Sequence, residues 1–198
     1  MPPLKPFAIF LFLILTPCLL NAKAPETMSY ESRKCGIRFQ FPKEWLAEEI
    51  ALERRAPKQR VCAIRVKPKD LARRMKDYNV DIYSVEIYVD ALAYEAAMAN
   101  QGFQRKDTGW VVAYGLTPPA PADEISSPEW IGAKAATSGR CHHEGGGYAG
   151  QCDIYLAVLN NRSRVSATIT GQAQSEDAFN VIIKSLKFID TAPSKEDR

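Results

Sequence analysis

Residue types able to do chemistry are concentrated in one stretch, residues 138–151 (SGRCHHEGGGYAGQ), which holds Cys141, both histidines of the chain and Glu144. Imidazole and carboxylate suit zinc or copper, so His142, His143 and Glu144 are the candidate metal set. Adjacent residues of a strand point to opposite faces, however, and the chain has no further histidine to complete a site. They therefore read as incidental surface histidines, and no metal ion is assigned. Cys141 with His142 as base is the candidate nucleophile pair. Such a base is normally brought to its nucleophile by the fold and held by a third group, which sequence neighbours on a strand do not achieve. No catalytic residue is assigned, and the chain is expected not to be an enzyme. Residues 145–147 (GGG) lack the Lys-Ser/Thr that follows a phosphate loop and do not lead from a strand into a helix, so no cofactor is expected either.

The same stretch reads better as a contact loop. Three glycines give a loop tip, Tyr148 is an amphipathic contact residue, and cysteines at both ends could tether its base. Arg140, His142, His143, Glu144 and Tyr148 are the candidate binding loop. The alternative is a long hairpin with no partner.

The rest of the chain must hold that loop. Residues 1–24 have the three parts of a secretory signal: Lys5, the apolar run 7–15 (FAIFLFLIL), and a small-residue stretch ending Ala22-Lys23-Ala24. Cleavage is expected after Ala24, with Ala22 as the competing position because Pro25 is a poor residue after a cut. A membrane span wants about 20 apolar residues, and this run breaks at Pro17. Acylation at Cys18 is disfavoured by the proline directly before it. Removing Lys5 and Lys23 from 26 basic residues leaves 24 against 23 acidic ones, a net of +1. That balance gives no clustered positive charge for nucleic acid or a membrane surface.

Of five cysteines, four remain after Cys18 leaves: Cys35, Cys62, Cys141 and Cys152. An even number in an exported chain implies disulfides, and a periplasmic or secreted location. Of the three connectivities, the local one is expected: Cys35 with Cys62, and Cys141 with Cys152. The second loop would gain about 2–3 kcal/mol from its crosslink.

Residues 25–34 read as a loose segment, 35–190 as one globular domain and 191–198 as a polar tail. Alternation marks strands at Ile37, Phe39 and Phe41, at Cys62, Ile64 and Val66, and at Tyr83, Val85, Ile87 and Val89. Further strands are expected at 45–50, 109–114, 130–137, 152–159 and 165–169. Asp70 opens a short helix over 71–75. Asp90 is expected to cap an alanine-rich helix that stops at Gly102, and the proline-rich 117–128 (TPPAPADEISSP) to be an extended loop. Ser175 opens a C-terminal helix whose Phe179, Ile182, Ile183 and Leu186 form a buried stripe. Roughly seven strands and three helices make an α+β sandwich.

Residues 36–45 (GIRFQFPKEW) resemble the strand, aromatic, proline and tryptophan opening of the Mog1/PsbP-like superfamily. Residues 179–188 (FNVIIKSLKF) are similar to its closing helix and strand, and Trp130-Ile131-Gly132 to one of its strand starts. The resemblance implies an antiparallel sheet packed with helices, an α/β/α sandwich, and a non-enzymatic binding or accessory domain for a protein or envelope component. Ser138-Gly139-Arg140 is also similar to the Ser-Gly loops with which some periplasmic lysozyme inhibitors, of a different fold, plug a cleft. The alternative function is therefore an inhibitor or immunity protein that blocks a cell-wall hydrolase or toxin through the Cys141–Cys152 loop.

Overall fold

The structure, a computed structural model, describes residues 26–52, 56–71, 73, 84–113, 118–142 and 148–190; of residues 140–142 and 148–149 only the backbone is described. The expected leader, residues 1–24, the expected tail, 191–198, and most of the short helix expected over 71–75 lie outside the described residues.

Thirteen strands, two helices and one 3-10 turn are seen among the described residues. The strands are β1 (Thr27–Ser32), β2 (Ile37–Pro42), β3 (Trp45–Ile50), β4 (Arg60–Pro68) and β5 (Val85–Asp90), then β6 (Phe103–Lys106), β7 (Gly109–Val112), β8 (Ala120–Pro121) and β9 (Asp123–Ser126). They are followed by β10 (Ile131–His142), β11 (Tyr148–Asn160), β12 (Ser166–Gln172) and β13 (Lys187–Phe188). Helix α1 (Tyr94–Asn100) lies between β5 and β6, and α2 (Glu176–Ser185) follows the 3-10 turn Ala173–Ser175.

A seven-stranded antiparallel sheet, in the order β3-β4-β5-β12-β11-β10-β9, is the backbone of the fold. Alternation puts Cys62, Ile64 and Val66 of β4 on one face with Val85, Ile87 and Val89 of β5 and Ala167 and Ile169 of β12. Onto this face pack the small sheet β1-β2-β13, through Ile37, Phe39 and Phe41, and α2, through Ala178, Phe179, Ile182 and Ile183. Trp130 closes the end of this core, its indole Nε1–H donating to the carbonyl of Leu186 at 2.9 Å. On the opposite face α1 and the sheet β6-β7-β8 cover only the β10–β11 side, where Ala97, Met98, Phe103, Trp110 and Val112 meet Ala133, Ala135, Leu156 and Val158.

An α/β/α sandwich is therefore not what forms. Among the described residues the molecule is mostly antiparallel sheet, with two short helices sharing their layers with small sheets. The alanine-rich segment yields only seven helical residues, because its start is not at Asp90. Asp90 is the last residue of β5 and faces Arg60, and the cap is Ala93, which makes no side-chain capping bond. The far end is set as expected, by Gly102 at φ 77°, where an added Cβ would come within 2.7 Å of the Ala113 carbonyl oxygen. Ser175 stands before α2, but its hydroxyl is turned back onto Gln172.

Two segments read as irregular are also strands. Residues Thr27–Ser32, placed in a loose segment, pair with β2 along their whole length, and Tyr30 packs on Phe39 with ring centroids 5.2 Å apart. Within the proline-rich stretch, β8 pairs with β7 and β9 with β10. Of these prolines only Pro121 lies within a strand, and it is tolerated because β8 is a short edge strand, where a missing N–H breaks no ladder.

Cys35 and Cys62 are bonded, with Cα atoms 5.6 Å apart and both residues 2% exposed. This joins the β1–β2 sheet to the large one, and it is the local pairing expected for these two cysteines. Beside it, Glu49 accepts hydrogen bonds from Ser32 Oγ at 2.7 Å and Lys34 Nζ at 2.9 Å, which hold its carboxyl below the usual carboxylate range. A buried disulfide is consistent with an exported protein. Among the described residues no helix is long and apolar enough to cross a membrane.

Candidate functional site

Two places gather residues with functional potential. The first is the β10–β11 hairpin. The register runs from Ile131 opposite Asn160 to Cys141 opposite Gly150, and places His142 opposite Tyr148 after skipping Ala149 as a bulge. Flanking support ends sooner: β9 pairs with β10 only as far as Lys134, and β12 with β11 only from Ile154. Beyond Thr137 and Ile154 the two strands have only each other among the described residues, so the hairpin continues as a two-stranded ribbon.

Arg140, Cys141 and His142 sit on its outgoing strand and Tyr148 on its return. Their side chains, and residues His143 and Glu144 entirely, lie outside the described residues. Cys152 is disulfide-bonded and faces Gly139 across the ribbon. No group of three His, Cys, Asp or Glu residues placed to hold a metal ion occurs among the described residues.

The second place was not singled out by sequence reasoning. It is the part of the large sheet's second face, over β4 and β5, that α1 and the small sheet do not cover among the described residues. There the alternation that buries Ile64, Val66, Ile87 and Val89 turns Arg65, Glu86 and Tyr88 the other way. Arg60 joins them through a bulge. Cys62 pairs with Val89 and Arg60 with Asp90, so Val61 has no opposite number. Were Val61 paired in regular register, strict alternation would put Arg60 on the core face with Cys62 and Ile64.

The side chains form one connected set. Arg60 donates from Nε to Asp90 Oδ1 at 2.8 Å and from Nη2 to Oδ2 at 3.3 Å. Its guanidinium carbon lies 4.2 Å from the centre of the Tyr88 ring. Tyr88 donates its hydroxyl proton to Glu86 Oε2, and Arg65 donates from Nη2 and Nε to Glu86 Oε1 at 2.8 and 3.2 Å. The Asp90 side chain is 6% exposed and that of Arg60 16%, so this is a desolvated, charge-assisted pair. Arg60, Arg65, Glu86 and Tyr88 line a cleft of about 490 Å³. Ile50, Leu52, Ala56, Pro57 and Ala63 supply its apolar lining. The volume lies within the range of small-ligand sites.

Chemically the arrangement favours holding over turnover. Burial, reinforced by the hydrogen bond to Glu86, pushes the Tyr88 phenol well above its ordinary value. It is thus a fixed donor at neutral pH and no base. Burial also raises Tyr94, where Glu124 adds to it, and Tyr155, where Glu176 does, each to about 12. The folded chain therefore keeps protons that the unfolded chain releases near 10.0. The stability from these three tyrosines is complete below that pH and is lost as pH rises through 10 toward 12. Urea unfolding across this window, with phenolate absorbance followed in parallel, should show midpoints falling as the phenols of the unfolded chain ionise. A midpoint constant to pH 12 would contradict the burial of these groups.

A signal for this second place was present in the letters. Arg65 and Glu86 are large ions of opposite sign in the polar slots of two strands whose other slots are Ile and Val. The Val61 bulge has no such signal.

No family model and no curated protein matches the sequence. Among solved structures, the chain is similar to the solution structure of cyanobacterial PsbP (CyanoP) from Synechocystis sp. PCC 6803, at 12% identity, covering 85% of this chain and 95% of that one, with a TM-score of 0.42.

Proposed function

We propose that this is an exported, non-enzymatic binding domain that contacts a protein or envelope component through the β10–β11 ribbon. The supporting observation is the register itself: the hairpin outruns its neighbours on both sides, so its far end is offered to a partner and adds nothing to the large sheet. Arg140, His142 and Tyr148 sit on that overhang, and His143 and Glu144 lie between them in the sequence. A narrow ribbon is also a shape that enters a cleft, which favours the second reading, an inhibitor or immunity protein blocking a cell-wall hydrolase or toxin through the Cys141–Cys152 loop.

The test is affinity capture from the protein's own envelope extract, read by mass spectrometry, with and without residues 145–147. The deletion removes residues between the paired His142 and Tyr148 and none of the buried core, so the domain should still fold. Capture should be abolished, and undiminished capture by the deleted protein would remove the ribbon from consideration. A single hydrolase or toxin recovered in equal amount selects the inhibitor reading, and a membrane complex selects the accessory one.

A further inference from the structure

A further cleft, of about 700 Å³, lies between the β2–β3 turn and α2, and shares no residue with the ribbon or with the cleft over β4 and β5. Its walls are two continuous described stretches, 42–45 and 174–184. The turn is fixed from behind: the Lys43 amide donates to the Glu26 carbonyl at 2.9 Å, and Lys69 Nζ donates to the Lys43 carbonyl at 2.8 Å. The helix is fixed by Phe179, Ile182 and Ile183 in the core, and by Ser185 Oγ, which accepts from the Gln40 amide at 2.8 Å. Trp45 is half-buried, packs on the core and lines the cleft. Its indole N–H makes no hydrogen bond among the described residues, whereas that of Trp130 reaches Leu186. Facing it, Gln174, Asp177, Asn180 and Lys184 follow one another at three or four residues, which puts them on one stripe. None of these four side chains has a partner among the described residues.

We infer that this cleft binds a neutral saccharide chain, with one pyranose against the Trp45 indole and its hydroxyls on Gln174, Asp177 and Asn180. The charges select a neutral occupant: the lining holds one carboxylate and one ammonium, and the seven residues between them put Asp177 and Lys184 about 10 Å apart along the helix. The unpaired groups are of both kinds, since Asp177 accepts, Lys184 donates and the two amides do both. Hydroxyls, which also donate and accept, match that mixture. An indole is an apolar plate with one polar edge, and a pyranose is its counterpart, with apolar C–H faces and a polar rim. A peptide carrying its amine to Asp177 and its carboxylate to Lys184 is disfavoured, because both residues are exposed and such pairs contribute about 0–1 kcal/mol each. A purely apolar occupant is disfavoured more strongly, because it would take water from the polar stripe and return no hydrogen bond. Both walls are held before binding, so little ordering is needed.

The experiment titrates the whole exported protein with chitotriose, cellotriose and maltotriose, and with trialanine as the zwitterionic comparison, following amide and indole N–H shifts by NMR. At least one trisaccharide should saturate at millimolar concentration and move the Trp45 indole N–H together with the amides of Asp177, Asn180 and Val181. Its monosaccharide should bind about tenfold more weakly, because the stripe extends beyond one ring. Trp45→Ala should abolish saturation. Because Trp45 also packs on the core, Asn180→Ala is the second variant. It removes a side chain with no described partner and should weaken binding about tenfold without lowering the unfolding midpoint. No saturable shift with any trisaccharide, shifts confined to other residues, trialanine binding as tightly as the best trisaccharide, or undiminished binding by Asn180→Ala would each overturn the assignment. Deleting residues 145–147 should leave the titration unaltered, so the ribbon's failure as a contact surface would be read separately.

Discussion

Replacing Cys35 and Cys62 together with alanine should lower the free energy of unfolding by about 3–4 kcal/mol. The bond spans 27 residues of sequence, and closing a loop of that length in the unfolded chain carries an entropy cost of this size. Against a typical total of about 5–15 kcal/mol, it is the difference between a stable and a marginal protein. The loop encloses β2, β3 and the start of β4, so the crosslink also limits how far the β1–β2–β13 sheet can depart from the large sheet. Urea unfolding of the variant should coincide with that of the unmodified protein under strong reductant if the second disulfide contributes little. If Cys152 also stabilises through its own crosslink, reduction should cost more than the double substitution, and the excess measures that bond. A loss below about 1 kcal/mol for the Cys35, Cys62 pair would mean that the unfolded chain already keeps the two segments together.

What the letters revealed, and what they did not, divides along a physical line. Strands with one buried face announce themselves by period two, as at Ile37, Phe39 and Phe41 and at Val85, Ile87 and Val89, and the stripe of α2 by its helical spacing. The strand at Thr27–Ser32 did not, because only Tyr30 and Ser32 of it face inward and the other positions are polar or exposed. The short piece β8 was hidden by its own Pro121, which an edge tolerates, and β9 by the prolines at 121 and 128 on either side of it. Asp90 shows the deeper limit. Before an alanine-rich run, an aspartate looks like a helix cap; here Arg60 reaches it from the neighbouring strand, and a buried ion pair takes precedence over a local cap. The cleft depends on the same long-range event. Its residues come from β3, β4, β5 and the connection between β3 and β4, and the Val61 bulge that brings in Arg60 breaks the very alternation by which β4 was recognised.

Phe39→Ala tests the junction from its native side, with an expected cost of about 3–5 kcal/mol. Phe39 is 0% exposed and sits mid-strand in β2, opposite Tyr30 and 6.2 Å from the ring of Phe41. It belongs to the core that the small sheet, α2 and the large sheet share, so no single element can shift to close the space without disturbing the others. Phe39→Leu keeps the site apolar and should cost well under half as much. The disulfide and the ring act through different states: the first restricts the unfolded chain, the second fills the folded core. Their losses should therefore add, and a protein lacking both should be close to unfolded at room temperature, as read by near-ultraviolet circular dichroism and urea titration. If the combined loss were clearly smaller than the sum, the crosslink would be holding the small sheet against a core that packs poorly without it. The junction would then be stabilised by tethering more than by the burial of Ile37, Phe39 and Phe41. A Phe39→Ala cost below about 2 kcal/mol would give the same answer from a single variant.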